Sequence, residues 1–347
     1  MERLDLELQL NKIETWENKI TQCEETSSFF QVFPYTEADA SIWDELIVKC
    51  PVATFLQTRR YLSYHAERFQ DASLIIKDSK NRVVGLFPAA VDPSNSLRIV
   101  SHPGITYGGI LHEGNLNGEN MLAALKSLSN YYAVLGMETL RYKLVPHIYH
   151  QIPSADDSYA LFRMGATRYR CDLSCAIDLD KQFQSSQRRQ RGLKKALKNG
   201  VQVKFGVEFA EELWSVLEDN LEKKYGAKPV HTVKEIILLH SLFPDNIEFA
   251  IALYNSQIVA GVVLFYTRQV SHTQYIASSS TGYKLCALDA VFQSCIDQAK
   301  SDHKRYFSFG ISNEKEGKCL NTGLYQFKSE FGSGGVVHEF YEINLKR

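Results

Sequence analysis

The chain has 347 residues, 44% of them apolar and 23% charged, a globular balance long enough for two domains of ordinary size. Its 39 basic and 40 acidic side chains leave a formal charge of −1, which argues against a chain devoted to nucleic acid. No apolar run approaches the ~20 residues of a membrane-spanning helix, and seven cysteines without a Cys-x-x-Cys pair read as reduced thiols rather than a zinc knuckle or disulfide framework.

The opening MERLDLELQLNK is acidic and amphipathic and lacks the basic start and apolar middle of a signal peptide, so a cytoplasmic location is expected. Residues 1–35 read as a leading helix and linker. A helix follows in TEADASIWDELIVKC, stopped by Pro51, and a second covers 59–69. Strand-like runs occupy 73–77, 83–91 and 97–101, the first two joined by the turn DSKNR. A Gly-rich loop holds Tyr107, Gly108 and Gly109. A long helix over 117–135 ends at Gly136, and strand 138–144, helix 156–162 and strand 167–178 complete the unit.

The second half repeats that order. Helices are expected over 183–198, 209–224 and 233–242. Strands 248–254 and 258–267 form a hairpin across Asn255-Ser256-Gln257, and a third strand covers 270–277. A Ser/Thr/Gly loop leads to helix 284–300, then strand 305–309, a helix through 325–331 and strand 336–344. The two halves share a pattern rather than letters. Domains are therefore expected at 36–178 and 179–347.

Each unit is a mixed α/β fold: a three-strand antiparallel meander, then helix-strand-helix-strand. The crossover helix makes the fourth strand parallel to the third. Where such strands part at their C-terminal ends a wedge opens, with free helix N–H groups at its mouth.

That order resembles the GNAT acyltransferase fold, and the tandem arrangement resembles its Fem-type branch. The letters that carry the resemblance are KYGAKPVHT (224–232), HTQYIASSS (272–280), YFSFGIS (306–312) and above all GLYQFKSEFG (323–332), with HPGITYGGI (102–110) in the first half. It implies an acyltransferase with acetyl-CoA or another acyl-CoA as co-substrate, no metal, and an amine acceptor on a cell-envelope or polysaccharide precursor. Aminoacyl-tRNA is the alternative donor, and a non-catalytic protein that binds such a precursor or a protein partner is a third reading. The sequence departs from single-domain acetyltransferases, whose pyrophosphate loop is richer in glycine than Ser278–Tyr283. It also lacks the long helical arm of the tRNA-dependent branch.

Direct acyl transfer needs an amine freed of its proton, a held oxyanion and a reprotonated leaving group. Tyr275 is a candidate acid or pocket wall; the alternative is a packed strand aromatic. His231 is the candidate base, against a structurally bonded loop histidine. Asp289, an acid flanked by apolar residues inside a helix, either orients a catalytic group or caps backbone. Ser278, Ser279, Ser280, Gly282 and Lys284 are the candidate donor-binding set, against simple helix capping. Tyr107, Gly108, Lys224, Phe309, Ser312, Asn313 and Lys328 are the candidate substrate-binding set. Arg191, Lys194, Lys195 and Lys198 share one helical face, either solvated or phosphate-binding.

Overall fold

The computed structural model describes residues 30–65 and 68–346, apart from the side chains of Lys224 and Tyr225. The expected leading helix and linker lie outside them as far as residue 29. Residues 30–34 form a strand instead, because Phe30 and Val32 pack on the first apolar core.

In chain order the first half contains β1 (Phe30–Pro34), α1 (Ala40–Lys49), the single turn α2 (Arg59–Leu62), β2 (Leu74–Asp78), β3 (Val83–Phe87), β4 (Ala90–Asp92) and β5 (Asn95–Val100). α3 (Glu119–Val134), β6 (Thr139–Lys143), α4 (Asp156–Arg163) and β7 (Thr167–Asp178) follow. The second half contains α5 (Gln187–Lys198), β8 (Gln202–Phe205), α6 (Ala210–Tyr225), α7 (Val233–Leu242), β9 (Ile247–Tyr254), β10 (Gln257–Tyr266) and β11 (Val270–Ser278). Then come α8 (Ser280–Leu285), α9 (Ala287–Ser301), β12 (Tyr306–Ile311), the small hairpin β13 (Asn313–Glu314) and β14 (Cys319–Leu320), α10 (Thr322–Ser329) and β15 (Gly334–Asn344).

The second-half meander β9–β10–β11 forms as expected, with Asn255 and Ser256 both at positive φ in the two-residue turn. In the first half the run 83–91 breaks at Pro88, which has no N–H to continue the ladder. β3 therefore stays with β1 and β2 in a three-stranded sheet, while β4 pairs with β5 in the large one. The helix expected over 284–300 is also two pieces. Cys286 adopts φ 58° between α8 and α9, so Lys284 sits on a short separate helix.

One ten-stranded sheet runs through both halves in the order β4-β5-β6-β15-β7-β12-β11-β10-β9-β8. Its middle is an exchange. The last strand of the first half, β7, pairs antiparallel with β12 of the second. The last strand of the second half, β15, lies between β6 and β7. One apolar core forms around α3 in the first half. A second lies under α9. A third gathers Trp43, Phe55, Trp214, Phe249 and Phe265 from both halves. Burial of these faces is the main stabilising contribution.

Candidate active site

The parallel pairs β5–β6 and β11–β12 are each short. β5 meets β6 only at Arg98–Val100, and β11 meets β12 only at Val270–His272. Beyond those points the strands part, and Gly310 (φ 72°) follows a register shift that bends β12 away. A cleft of about 1150 Å³ opens at the partings, lined from the first half by residues such as His65, Lys143 and Arg170 and from the second by His231, Gln274 and Phe309. The edge of β11 beyond His272 has no β12 partner there.

Tyr275 and His231, set apart in sequence, meet. The Tyr275 Oη to His231 Nδ1 distance is 2.5 Å, and the His231 backbone N–H also donates to Oη at 3.3 Å. With the hydroxyl assigned as donor to Nδ1, the only acceptor it meets among the described residues, the ring hydrogen is placed on Nε2. Burial pushes His231 down to about 4 and Tyr275 up to about 12, which keeps both neutral at pH 7. His231 lines the cleft and thus offers it an N–H. Of the two readings of His231, candidate base and structurally bonded loop histidine, the bond to Tyr275 matches the second. α7 helps hold the loop, since Thr232 and Glu235 form a reciprocal cap at its start.

The expected donor-binding residues stand beside the cleft rather than in it. Ser279 caps α8, its Oγ accepting from Gly282 N–H at 3.1 Å. Ser278 keeps its carbonyl on Asn220 Nδ2 at 2.8 Å. Gly282 is pressed so near β10 that an added Cβ would lie 2.2 Å from the Val259 carbonyl oxygen. Ser280 and Lys284 are exposed. Of this loop it is Tyr283 that lines the cleft.

Phe309 and Lys328 do line it. Lys328 is buried, not an exposed helical lysine; its Nζ donates to the carbonyls of Gly310 at 3.0 Å and Ile311 at 2.5 Å. Burial lowers it to about 8. Tyr107, Gly108, Ser312, Asn313 and Asp289 lie away from the cleft lining. Tyr107 is core, with its Oη donating to Thr54 at 3.3 Å, and Gly108 packs on Ser101. Ser312 N–H bonds the Leu173 carbonyl, and the Asn313 side chain accepts from Leu173 N–H. Asp289 pairs with Arg189 at 3.1 Å, which also reaches Glu330 at 3.1 Å. Burial raises Asp289 to about 6. These ion pairs join α5 to α9 and to the end of α10. The Lys224 side chain lies outside the described residues.

Sequence reasoning missed the first-half cleft lysine. Lys143 donates from Nζ to the carbonyls of His102 at 2.9 Å and Ile105 at 2.7 Å, and burial pulls it down to about 7. A lysine between Tyr142 and Leu144 in an apolar strand was the available signal. The cleft-lining His65, His272 and His338 were missed too. Their strands and loops meet only in the folded sheet. Among the described residues no group of three or more His, Cys, Asp or Glu side chains is arranged to hold a metal, and no helix is long and apolar enough to cross a membrane.

No protein-family model matches the sequence, and no curated protein matches it. Solved structures do. The chain is similar to FemX with a TM-score of 0.63 at 11% identity, covering 90% of this chain and 97% of the other. It is similar to L-PGS from Bacillus licheniformis at 0.55 and 12%, covering 81% and 90%. It is also similar to a tandem GNAT protein from the clavulanic acid biosynthesis pathway at 0.53 and 8%, covering 92% and 99%. At such identities the likeness carries the fold, which is the tandem GNAT type.

Proposed function

We propose that this chain transfers an acyl or aminoacyl group to an amine in the cleft where β11 and β12 part. The observation that carries this reading is the parting itself: an unpaired strand edge, a neutral His231–Tyr275 pair and a cleft walled by both halves. A donor carbonyl lying along β11 meets backbone N–H groups able to hold its oxyanion. The amine attacks, a C–N bond forms, and the C–S or C–O bond to the leaving group breaks. His231 Nε2–H donates a hydrogen bond to the departing atom, and the amine's proton balances the leaving group's gain. The fold shared with a tandem GNAT protein favours an acyl-CoA donor. The acceptor is an amine on a cell-envelope or polysaccharide precursor, held between domains 36–178 and 179–347, and the reaction runs in the cytoplasm.

The second reading, aminoacyl-tRNA as donor, is favoured by α5. Its outer face presents Arg188, Arg191, Lys194, Lys195 and Lys198, while Arg189 turns inward.

The test is a thermal-shift titration with acetyl-CoA, free CoA and a charged tRNA. A ligand at 100 times its dissociation constant stabilises the fold by roughly 2.7 kcal/mol. An acetyl-CoA shift that disappears in Gln274→Trp, which fills the parting, supports the first reading. A tRNA shift that disappears when Lys194, Lys195 and Lys198 become Glu supports the second. No shift with either leaves a non-catalytic binding protein.

A further inference from the structure

Asp172 and His338 are register partners on β7 and β15, the two exchanged strands. Each is 2% exposed, yet both line the cleft. Asp172 Oδ2 accepts from Arg170 Nη2 at 2.7 Å and Nε at 3.0 Å. Asp172 Oδ1 has no hydrogen-bond partner, and neither ring nitrogen of His338 has one. Side chains directly opposite in an antiparallel pair stand with Cβ atoms ~4.5–5.5 Å apart. The carboxylate oxygen and the imidazole therefore share one space.

Buried polar atoms left unpaired are costly, and three at one spot mark a place for a group the chain does not supply. Burial keeps His338 neutral, with its pKa near 4. A neutral imidazole has one accepting nitrogen, and the carboxylate oxygen is a second acceptor carrying negative charge. Arg170 offsets the carboxylate's charge from the Oδ2 side, and the two acceptors left suit a small cation rich in N–H.

The position also fits. Along β7, Asp172 is two residues from Ser174, which pairs with Ile311 at the end of β12 after that strand has left β11. The β13–β14 hairpin roofs the spot: a Cβ at Gly317 would lie 3.0 Å from Asp172 Oδ1 and 2.3 Å from the Cys171 carbonyl oxygen. Asn313 ties that hairpin down by accepting Leu173 N–H.

We infer that Asp172 and His338 seat the amine of the acceptor at the mouth of the parting, beneath the β13–β14 hairpin: it arrives as the ammonium and loses one proton to solvent before the free amine attacks. This rests on the reading of the cleft as an acyl-transfer site and names the part of it that receives the nucleophile.

The test follows the imidazole nitrogen signals of His338 in the ¹⁵N-labelled full chain, assigned with His338→Gln, at neutral pH. The probe is ethylammonium chloride, with tetramethylammonium chloride as a cation lacking N–H. The expected result is a saturable change with ethylammonium alone, with the apparent dissociation constant raised about tenfold or more in Asp172→Asn. Unmoved His338 signals, equal responses to the two cations, or undiminished binding in Asp172→Asn overturn the seat. Should Asp172→Asn fail to fold, the two-cation comparison in the unmodified chain decides. A separate acetyl-CoA titration reports on the donor side. A response to ethylammonium without one to acetyl-CoA upholds the seat and counts against the acyl-CoA reading; the reverse overturns the seat alone.

Discussion

At the residue scale the cleft is built from groups held neutral or held by backbone. Burial keeps Tyr275 and His231 neutral as they bond each other, and Lys143 and Lys328 donate their N–H groups to carbonyls rather than to carboxylates. Removing the phenol hydroxyl leaves His231 Nδ1 without its donor and lets the ring turn. Tyr275→Phe is therefore expected to cost about 0.5–1.5 kcal/mol of stability and to lower kcat about tenfold or more, with little change in donor binding. Unfolding curves and a kcat-against-KM comparison check both parts. Unchanged kcat would return Tyr275 to a packed strand aromatic. These two side chains were legible in the sequence as candidates, 44 positions apart. That they bond each other was not, because the loop carrying His231 reaches β11 only through packing of α6 and α7.

At the element scale the informative places are those where a regular pattern breaks. Pro88 splits a strand and Cys286 splits a helix. Gly282 is a tight joint, since α8 lies directly on the Val259 carbonyl. Gly282→Ala is expected to destabilise the fold by about 1–3 kcal/mol, because backbone on both sides must shift to admit the methyl group. Denaturant unfolding measures this, and a change within error would mean that α8 moves freely off β10. Most helices and strands were legible, among them β7 and α7 at their observed bounds, because periodicity and caps are local signals. The short edge strand β8 and the β13–β14 hairpin were not, having too few residues to show a period.

At the scale of the whole molecule, burial of titratable groups sets the pH response. Burial lowers His65 and His231 to about 4, His338 to about 4, and His102 and His272 to about 3. Their unfolded counterparts take up protons below about 6.5, so stability rises with pH between about 4 and 6.5. Asp157 and Asp289, both raised to about 6, oppose this over most of that window, but are fewer in number. Lys143 and Lys328 release protons in the folded state from about 7 and 8, while the unfolded chain holds them to about 10.4. Stability should therefore rise again from pH 7 to about 8.5, above which the thiols of Cys50, Cys171, Cys175 and Cys295, raised by burial, oppose the lysines. Calorimetric Tm at intervals from pH 5 to 9.5 tests the sign. A Tm that falls between pH 7 and 8 would mean that neither lysine is buried as a cation.

The sequence by itself determined the order of elements, their repetition and the tandem GNAT-type reading, since these rest on hydrophobic period, turn residues and short strings such as GLYQFKSEFG. Only the tertiary structure decided that β7 and β15 exchange places in one sheet. Strand pairing between residues such as Asp172 and His338 is a long-range choice of register, made by which apolar faces are buried together. For the same reason Asp289 and Asn313, prominent in the sequence, became ties of the scaffold. Lys143, Asp172 and His338, inconspicuous within strand-like runs, face the cleft because the sheet parts beside them.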